Sequence, residues 1–257
     1  MAVTQCWARC GFKAVPFEIN LQGEVMDILS PIGFCVALVM ALRLKPNAFC
    51  MIATVCSTWV FLSRSQTRRS FFNPLGDRRV KSVEDANAMV SRMTLILYIL
   101  QCKNVFYLYE QPGSSLLWSH PRMEDFISSV HAYRAWTWMG AFGASSPKGT
   151  TLWSSRPAVQ KMSRALPVGK SWSDDITTRT VLKSGKPSVS GGKGLKESQT
   201  YTSQFGFATL SVWLEEDDWP ESDLTSVTLP TIWSPLVKKD RWDDARLQEV
   251  MQYLTTH

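Results

Sequence analysis

The sequence is poor in histidine, has no Cys-x-x-Cys pair and shows no secretory-signal pattern at its N-terminus. It holds three histidines in 257 residues. Cys6 and Cys10 are four apart, on one helical face, but no histidine lies near them to complete a ligand set, which argues against zinc. The N-terminus lacks the charged start, apolar run and small-residue cleavage site of a secretory signal. The six cysteines (Cys6, Cys10, Cys35, Cys50, Cys56 and Cys102) fall in the first 102 residues. In a large chain that reads as intracellular, reduced thiols are expected. Gly and Pro, 14 and 13 in number, are too few for a fibrous or low-complexity protein, and no segment repeats. Charged residues make up only 19% and apolar ones 45%, an ordinary globular composition rather than that of a disordered chain. The length allows one large domain or two small ones, with an ample core.

What is present is charge of uneven placement. The net charge is +6, yet residues 214–257 carry ten acids against four bases. The body is therefore strongly basic and the tail acidic, which suits a polyanionic partner such as nucleic acid, or simply a solvated surface. Uncharged stretches separate Asp27 from Arg43 and Lys45 from Arg64. The second approaches the lower bound for a spanning helix. It opens with Pro46-Asn47 and contains Thr54, Ser57 and Thr58, so a turn, a buried strand and a polar loop describe it better. A membrane-associated segment over residues 28–62 is the remaining alternative.

Residues 2–11 read as a helix stopped by Gly11. Ala14–Ile19 reads as a short strand. Ser30-Pro31 places an N-cap before a favoured first helical residue, opening a helix to about Leu44 that is apolar nearly all round and so expected to be buried. The strand 48–55 follows. Residues 63–81 form a basic loop with Arg64, Arg68, Arg69, Arg78, Arg79 and Lys81. Ser82, with Asp85 three residues on, looks like a capping box for a second helix. Ala86, Met89, Val90, Met93, Leu97 and Leu100 give that helix its apolar stripe. Residues 105–109 read as a strand, 124–135 as a helix and 136–142 as a strand. From about residue 156 the character changes: 165–200 is rich in Ser, Thr, Gly and Lys and reads as a flexible basic loop, and 240–254 as a terminal helix. Two regions are thus expected, an α/β domain over 1–155 and an irregular basic region with an acidic end over 156–257.

Strands alternating with helices imply an α/β, mostly parallel sheet, in which ligands sit at the carboxyl ends of strands. Polar groups occur at three such ends: Glu18, Cys56-Ser57-Thr58 and Glu110-Gln111-Pro112. A thiol in one strand-end loop and a carboxyl at the next suggest nucleophile and acid, with nearby arginines favouring the thiolate. An inert buried Cys56, and a Glu110 that caps a neighbouring helix, are the plain alternatives. Glu18 could accept hydrogen bonds from ribose hydroxyls, as an acid at the end of a second strand does in nucleoside-cofactor folds, or be solvated.

The order Phe17-Glu18, Asp27-Ile28, Val55-Cys56-Ser57-Thr58-Trp59, Tyr109-Glu110-Gln111-Pro112, Ala141-Phe142-Gly143 and Lys148-Gly149-Thr150-Thr151-Leu152-Trp153 resembles the DNA (cytosine-5) methyltransferases. The resemblance implies a Rossmann-like, mostly parallel sheet of the class I methyltransferase type and S-adenosylmethionine as cofactor. It further implies a nucleic-acid partner, DNA before RNA, in an intracellular, nuclear setting. By the same resemblance Cys56 would add to carbon 6 of a flipped-out cytosine and Glu110 would protonate nitrogen 3. Glu18 would hold the ribose and Asp27 would lie near the adenine. Arg64, Arg68, Arg69 and Lys148 would contact phosphates or base oxygens. The departures are specific. The family's first strand and glycine-rich loop have no counterpart, Val55 stands for a proline, Gln111 for an asparagine and Gly149 for a proline. An active enzyme and an inactive or fragmentary copy are both compatible with this pattern. A non-catalytic nucleic-acid-binding protein is the competing reading. Leu195-Lys196, Ser198-Gln199, Tyr201 and Phe205-Gly206 also resemble a closing segment of such relatives, to which no chemical role is assigned.

Overall fold

The computed structural model describes residues 2–169, 172, 177–181, 184–185, 187–195 and 197–215. The expected helix at 240–254 and the acidic end lie outside the described residues. In chain order the structure runs α1 (Ala2–Arg9), α2 (Ile19–Gln22), α3 (Pro31–Arg43), β1 (Phe49–Ile52), α4 (Arg64–Thr67), α5 (Lys81–Cys102), β2 (Phe106–Pro112) and α6 (Pro121–Ser129). It continues through β3 (Tyr133–Trp138), β4 (Gly149–Ser154), β5 (Thr177–Val181), β6 (Pro187–Gly191) and α7 (Ser203–Leu214).

The main sheet has four strands in the order β1-β2-β4-β3. β1 and β2 are parallel, with Phe49 opposite Phe106 and Ile52 opposite Tyr109. β4 runs antiparallel to both β2 and β3. The fold is therefore mixed α/β, with one parallel pair beside a reversed strand, and not a mostly parallel sheet. β5 and β6 form a separate antiparallel pair inside the stretch expected to be a loop.

Alternation along β2 explains the layering. Tyr107 and Tyr109 join a core built with Phe34 and Ala37 of α3, Val90, Met93 and Leu97 of α5, and Phe126 of α6. Phe106 and Leu108 face the opposite core, with Val3 and Trp7 of α1, Leu152 of β4, Val159, and Phe205 and Leu210 of α7. Helices thus cover both faces of the sheet. A boundary at residue 155 runs through this second core, because α7 and the 3-10 turn Pro157–Met162 are part of it. Each fully buried Phe or Leu stabilises the fold by roughly 1.5–3 kcal/mol relative to exposure.

α3 starts as the sequence implies, with Ser30 Oγ accepting from Gly33 N–H at 2.8 Å. It is not buried all round: Phe34, Ala37 and Ala41 face the core, whereas Ile32 and Val39 are exposed beside a shallow groove of about 530 Å³. α5 begins one residue before Ser82, with Val80 at the N-cap and no side-chain cap; Asp85 pairs instead with Lys81 at 2.8 Å. Its stripe is buried as expected, except for a half-buried Met89. Ala14–Ile19 forms no strand. Pro16 lacks a donor for a ladder, and Glu18 caps α2 instead. The expected helix 124–135 is displaced to α6, where His120 is the N-cap and Pro121 the first helical residue. The expected strand 136–142 is displaced to β3, followed by the 3-10 turn Met139–Phe142. No single helix among the described residues is long and apolar enough to cross a membrane; the only pair passing on length and composition, Ile19–Met26 with Pro31–Arg43, is bent by 106°.

Candidate functional site

The site forms where the parallel strands β1 and β2 end. The chain leaves β1 through Ala53-Thr54-Val55 to Cys56, and Glu110 lies near the end of β2, opposite Leu152 of β4. Glu110 and Gln111 point to opposite faces of the sheet, and each does a different job.

Gln111, fully buried, fastens the loop that carries Cys56. Its Nε2 donates to the Thr54 carbonyl at 2.9 Å and reaches Thr54 Oγ1 at 3.2 Å. Its Oε1 accepts from Ser115 Oγ at 3.0 Å, and Tyr109 Oη lies 2.7 Å from Thr54 Oγ1. Both strand ends are thereby tied together two residues before the thiol.

Glu110 is 3% exposed. Lys148 Nζ stands 3.3 Å from its Oε1, and the Tyr201 hydroxyl donates to its Oε2 at 2.5 Å. The Tyr201 ring stacks on Phe205 at 5.2 Å, and Phe205 packs edge-on against Phe142, so α7 and the turn after β3 fix the phenol. Burial, with Glu110 beside it, holds the Tyr201 hydroxyl well above the usual phenol range, so it remains a donor. Lys148 adopts a left-handed backbone, φ +26°, immediately before β4. A non-glycine residue in that region stores strain, here at the residue that neutralises Glu110.

Cys56 is half-buried and free, within electrostatic reach of Lys148, Glu110 and Tyr201. Burial pushes its thiol above the ordinary value, Glu110 adds to the rise, and Lys148 opposes it. The resting group is a thiol, and attack requires its deprotonation. The structure thus brings together Cys56, Glu110 and Lys148 from the sequence reading and adds Tyr201. The sequence names Tyr201 only within a closing segment that has no assigned chemical role; it lies 91 residues from its partner.

The other expected residues behave differently. Glu18 is exposed, and its Oε1 accepts from the backbone and side chain of Asn20 at 3.4 and 3.0 Å. Asp27 Oδ1 accepts from Leu29 N–H at 2.8 Å in the turn before α3. Gly33 packs so closely on Asp27 that a Cβ there would overlap its backbone carbonyl. One oxygen of each carboxylate is therefore bonded within its own turn. Lys148 contacts Glu110 rather than an open surface.

Arg69 is not an interface residue. It is 2% exposed, lies 3.4 Å from the Trp59 ring centroid and donates to Pro74 O, Val83 O and Asn87 Oδ1. Burial pulls its guanidinium down to about 10, so it stays cationic near neutrality. His120 packs on the same Trp59, at 5.9 Å, and burial with Arg122 and Arg69 nearby pushes it down to about 3. It is a neutral acceptor for the Arg122 N–H. Arg68 is exposed at the left-handed end of α4. Arg64 donates to the Ser114 carbonyl at 3.3 Å, in the turn that follows β2. Arg78, Arg79 and Lys81 pair with Glu84, Asp77 and Asp85.

No protein-family model, curated protein or solved structure matches this chain.

Proposed function

We propose that this chain carries the base-activating site of a methyltransferase-like protein acting on cytosine in nucleic acid, DNA before RNA. One observation supports the reading above others: a thiol on the loop leaving β1 and a buried carboxyl near the end of the adjacent parallel strand β2 share one electrostatic environment with Lys148 and Tyr201.

The chemistry follows from those groups. The Cys56 thiol gives its proton to the Glu110 carboxylate, the thiolate forms a bond to carbon 6, the ring π electrons move towards nitrogen 3, and Glu110 passes the proton on to that nitrogen. Carbon 5 becomes an enamine carbon able to take an electrophile. The carboxylate left behind is stabilised by the Lys148 cation and the Tyr201 hydroxyl, which are already in place. A cytosine must leave its stack to reach these groups.

S-adenosylmethionine would supply the methyl group in such a reaction. The residues assigned to it do not fit: Glu18 and Asp27 are engaged in local turns. No step through that cofactor is derived for this chain.

The test is covalent capture. An oligonucleotide carrying pyrimidin-2-one, which is more electrophilic at carbon 6 than cytosine, should form an adduct that survives denaturation and maps to the peptide bearing Cys56. Cys56→Ser should form none. An adduct of equal yield in Cys56→Ser would overturn the assignment.

A further inference from the structure

Three phenylalanines near the candidate site serve no core. Phe61, Phe71 and Phe72 are 65%, 71% and 100% exposed. All three lie on the segment that leaves Cys56, interleaved with Arg64 and Arg68. The Arg64 guanidinium lies 5.3 Å from the Phe61 ring centroid and 6.0 Å from that of Phe71.

The segment is fastened, so the exposed rings are a built feature. Arg69, sandwiched between Trp59 and its carbonyl partners, anchors the middle of the segment, and Asp77 N–H donates to Thr67 O at 2.8 Å. The turn bearing Phe71 and Phe72 is closed by reciprocal backbone bonds between Ser70 and Asn73. Leu116 N–H donates to Trp59 O at 3.0 Å, and Arg64 reaches the Ser114 carbonyl. Both contacts tie the segment to the chain leaving β2 just after Glu110. The rings therefore stand at the edge of the site.

Charge selects the occupant. The acids between residues 55 and 85 are Asp77, Glu84 and Asp85, and each is paired with a neighbouring base. Arg64 and Arg68 form no ion pair among the described residues. Exposed rings separated by unneutralised guanidinium groups suit a ligand that alternates flat apolar faces with anions. A single-stranded nucleic acid does this; a duplex hides its base faces in the stack.

We infer that Phe61, Phe71 and Phe72, with Arg64 and Arg68, form a stacking rim for unpaired nucleobases flanking the target base. The substrate is then a single-stranded or locally opened nucleic acid. The inference rests on the base-activating reading of the neighbouring site, but the two fail separately.

The experiment is fluorescence anisotropy with a labelled strand of roughly 20 nucleotides, as single-stranded DNA, as RNA of the same sequence and as DNA duplex, at two salt concentrations. The full chain is compared with the double variant Phe71→Ala, Phe72→Ala and with Arg64→Gln, Arg68→Gln. Phe71, Phe72 and Arg68 are exposed and Arg64 is half-buried with a bond to Ser114, so the melting temperature of each variant is compared with that of the intact chain before its affinity is read. The intact protein should favour the single strand over the duplex, and the comparison of DNA with RNA names the sugar. The phenylalanine variant should lose about tenfold or more in single-strand affinity and keep its duplex affinity. The arginine variant should lose about 1.4 from the slope of log affinity against log salt. Equal single-strand affinity in the phenylalanine variant overturns the rim. So does binding confined to anionic phospholipid vesicles, which would assign the rings to a membrane surface. Ring-dependent binding without any Cys56 adduct would leave the rim standing and remove the base-activating reading, whereas an adduct with ring-independent binding would do the reverse.

Discussion

The segment from Glu18 to Asp27 and the paired strand ends of β1 and β2 were both expected to bear functional carboxyls, and they differ in where those carboxyls point. At the strand ends, Glu110 is buried and met by groups from distant parts of the chain, Lys148 and Tyr201. Near α2 and α3, Glu18 and Asp27 bond residues two positions away. A carboxyl satisfied by its own turn is explained by local geometry alone. A carboxyl buried at a sheet end, held by residues 38 and 91 positions away, needs a reason to be there. The difference separates the proposed base activation, which draws on Glu110 and its distant partners, from cofactor binding, for which Glu18 and Asp27 show only local bonds.

The largest effects should come from the strand-end region. Cys56→Ser should abolish adduct formation with the pyrimidin-2-one probe while leaving the melting temperature nearly unchanged, because its thiol accepts no core role. Glu110→Gln should slow adduct formation about 10²–10⁴-fold, the range of a lost general acid. The same substitution should speed alkylation of Cys56 by iodoacetamide, read by peptide mass spectrometry. Glu110 raises the thiol and Lys148 lowers it, so removing the acid lets the thiolate form at lower pH. Slower alkylation in Glu110→Gln would break the proposed coupling.

Gln111→Ala tests whether the loop carrying Cys56 is held from β2. It leaves the Thr54 carbonyl and the Ser115 hydroxyl without their partner, costing about 1–3 kcal/mol in a denaturant titration. Adduct formation should slow beyond what the unfolded fraction explains, and Gln111→Asn should recover part of it. A stability loss with a normal adduct rate would make Gln111 merely structural.

His120 offers a pH test away from the chemistry. Its folded value of about 3 lies below the unfolded value near 6.5, so the unfolded chain binds the proton first as pH falls. The stability it gives is present above about pH 6.5 and lost as pH falls towards 3. Between pH 7 and 5 the loss is about 2 kcal/mol, and His120→Asn should flatten that slope. The smallest effect belongs to the other region: Glu18→Ala should leave calorimetric titration with S-adenosylmethionine unchanged. Micromolar binding lost in that variant would restore Glu18 as a ribose ligand.

Much of the scaffold is legible in local pattern. Ser30-Pro31 encodes the start of α3, and the spacing from Ala86 to Leu100 encodes the buried face of α5. The apolar runs ending at Cys56 and Glu110 mark β1 and β2, whose parallel pairing makes those ends neighbours. What local pattern does not encode is tertiary. Ala14–Ile19 has strand-like alternation but no pairing partner. β4 opens on Gly149 and two threonines, a weak strand signal, and its place between β2 and β3 is set by the sheet. Arg69 and Arg64 are alike in sequence, yet Arg69 is buried on Trp59 while Arg64 is half-buried beside Phe61 and Phe71. Tyr201 sits in a segment of mixed polar residues, and only the packing of Phe205 on Phe142 carries it to Glu110.

The most direct test is exchange of the cytosine carbon-5 hydrogen for deuterium in a single-stranded oligonucleotide, measured by mass spectrometry in heavy water. Addition of Cys56 and protonation at nitrogen 3 let carbon 5 take a deuteron, lose its proton and release the base, with no methyl donor involved. The rate should rise with pH through neutrality, because the thiol lies above its ordinary value. Exchange is expected from the intact chain and from neither Cys56→Ser nor Glu110→Gln. Exchange that persists in Cys56→Ser, or is absent from the folded intact chain at every pH, would contradict it.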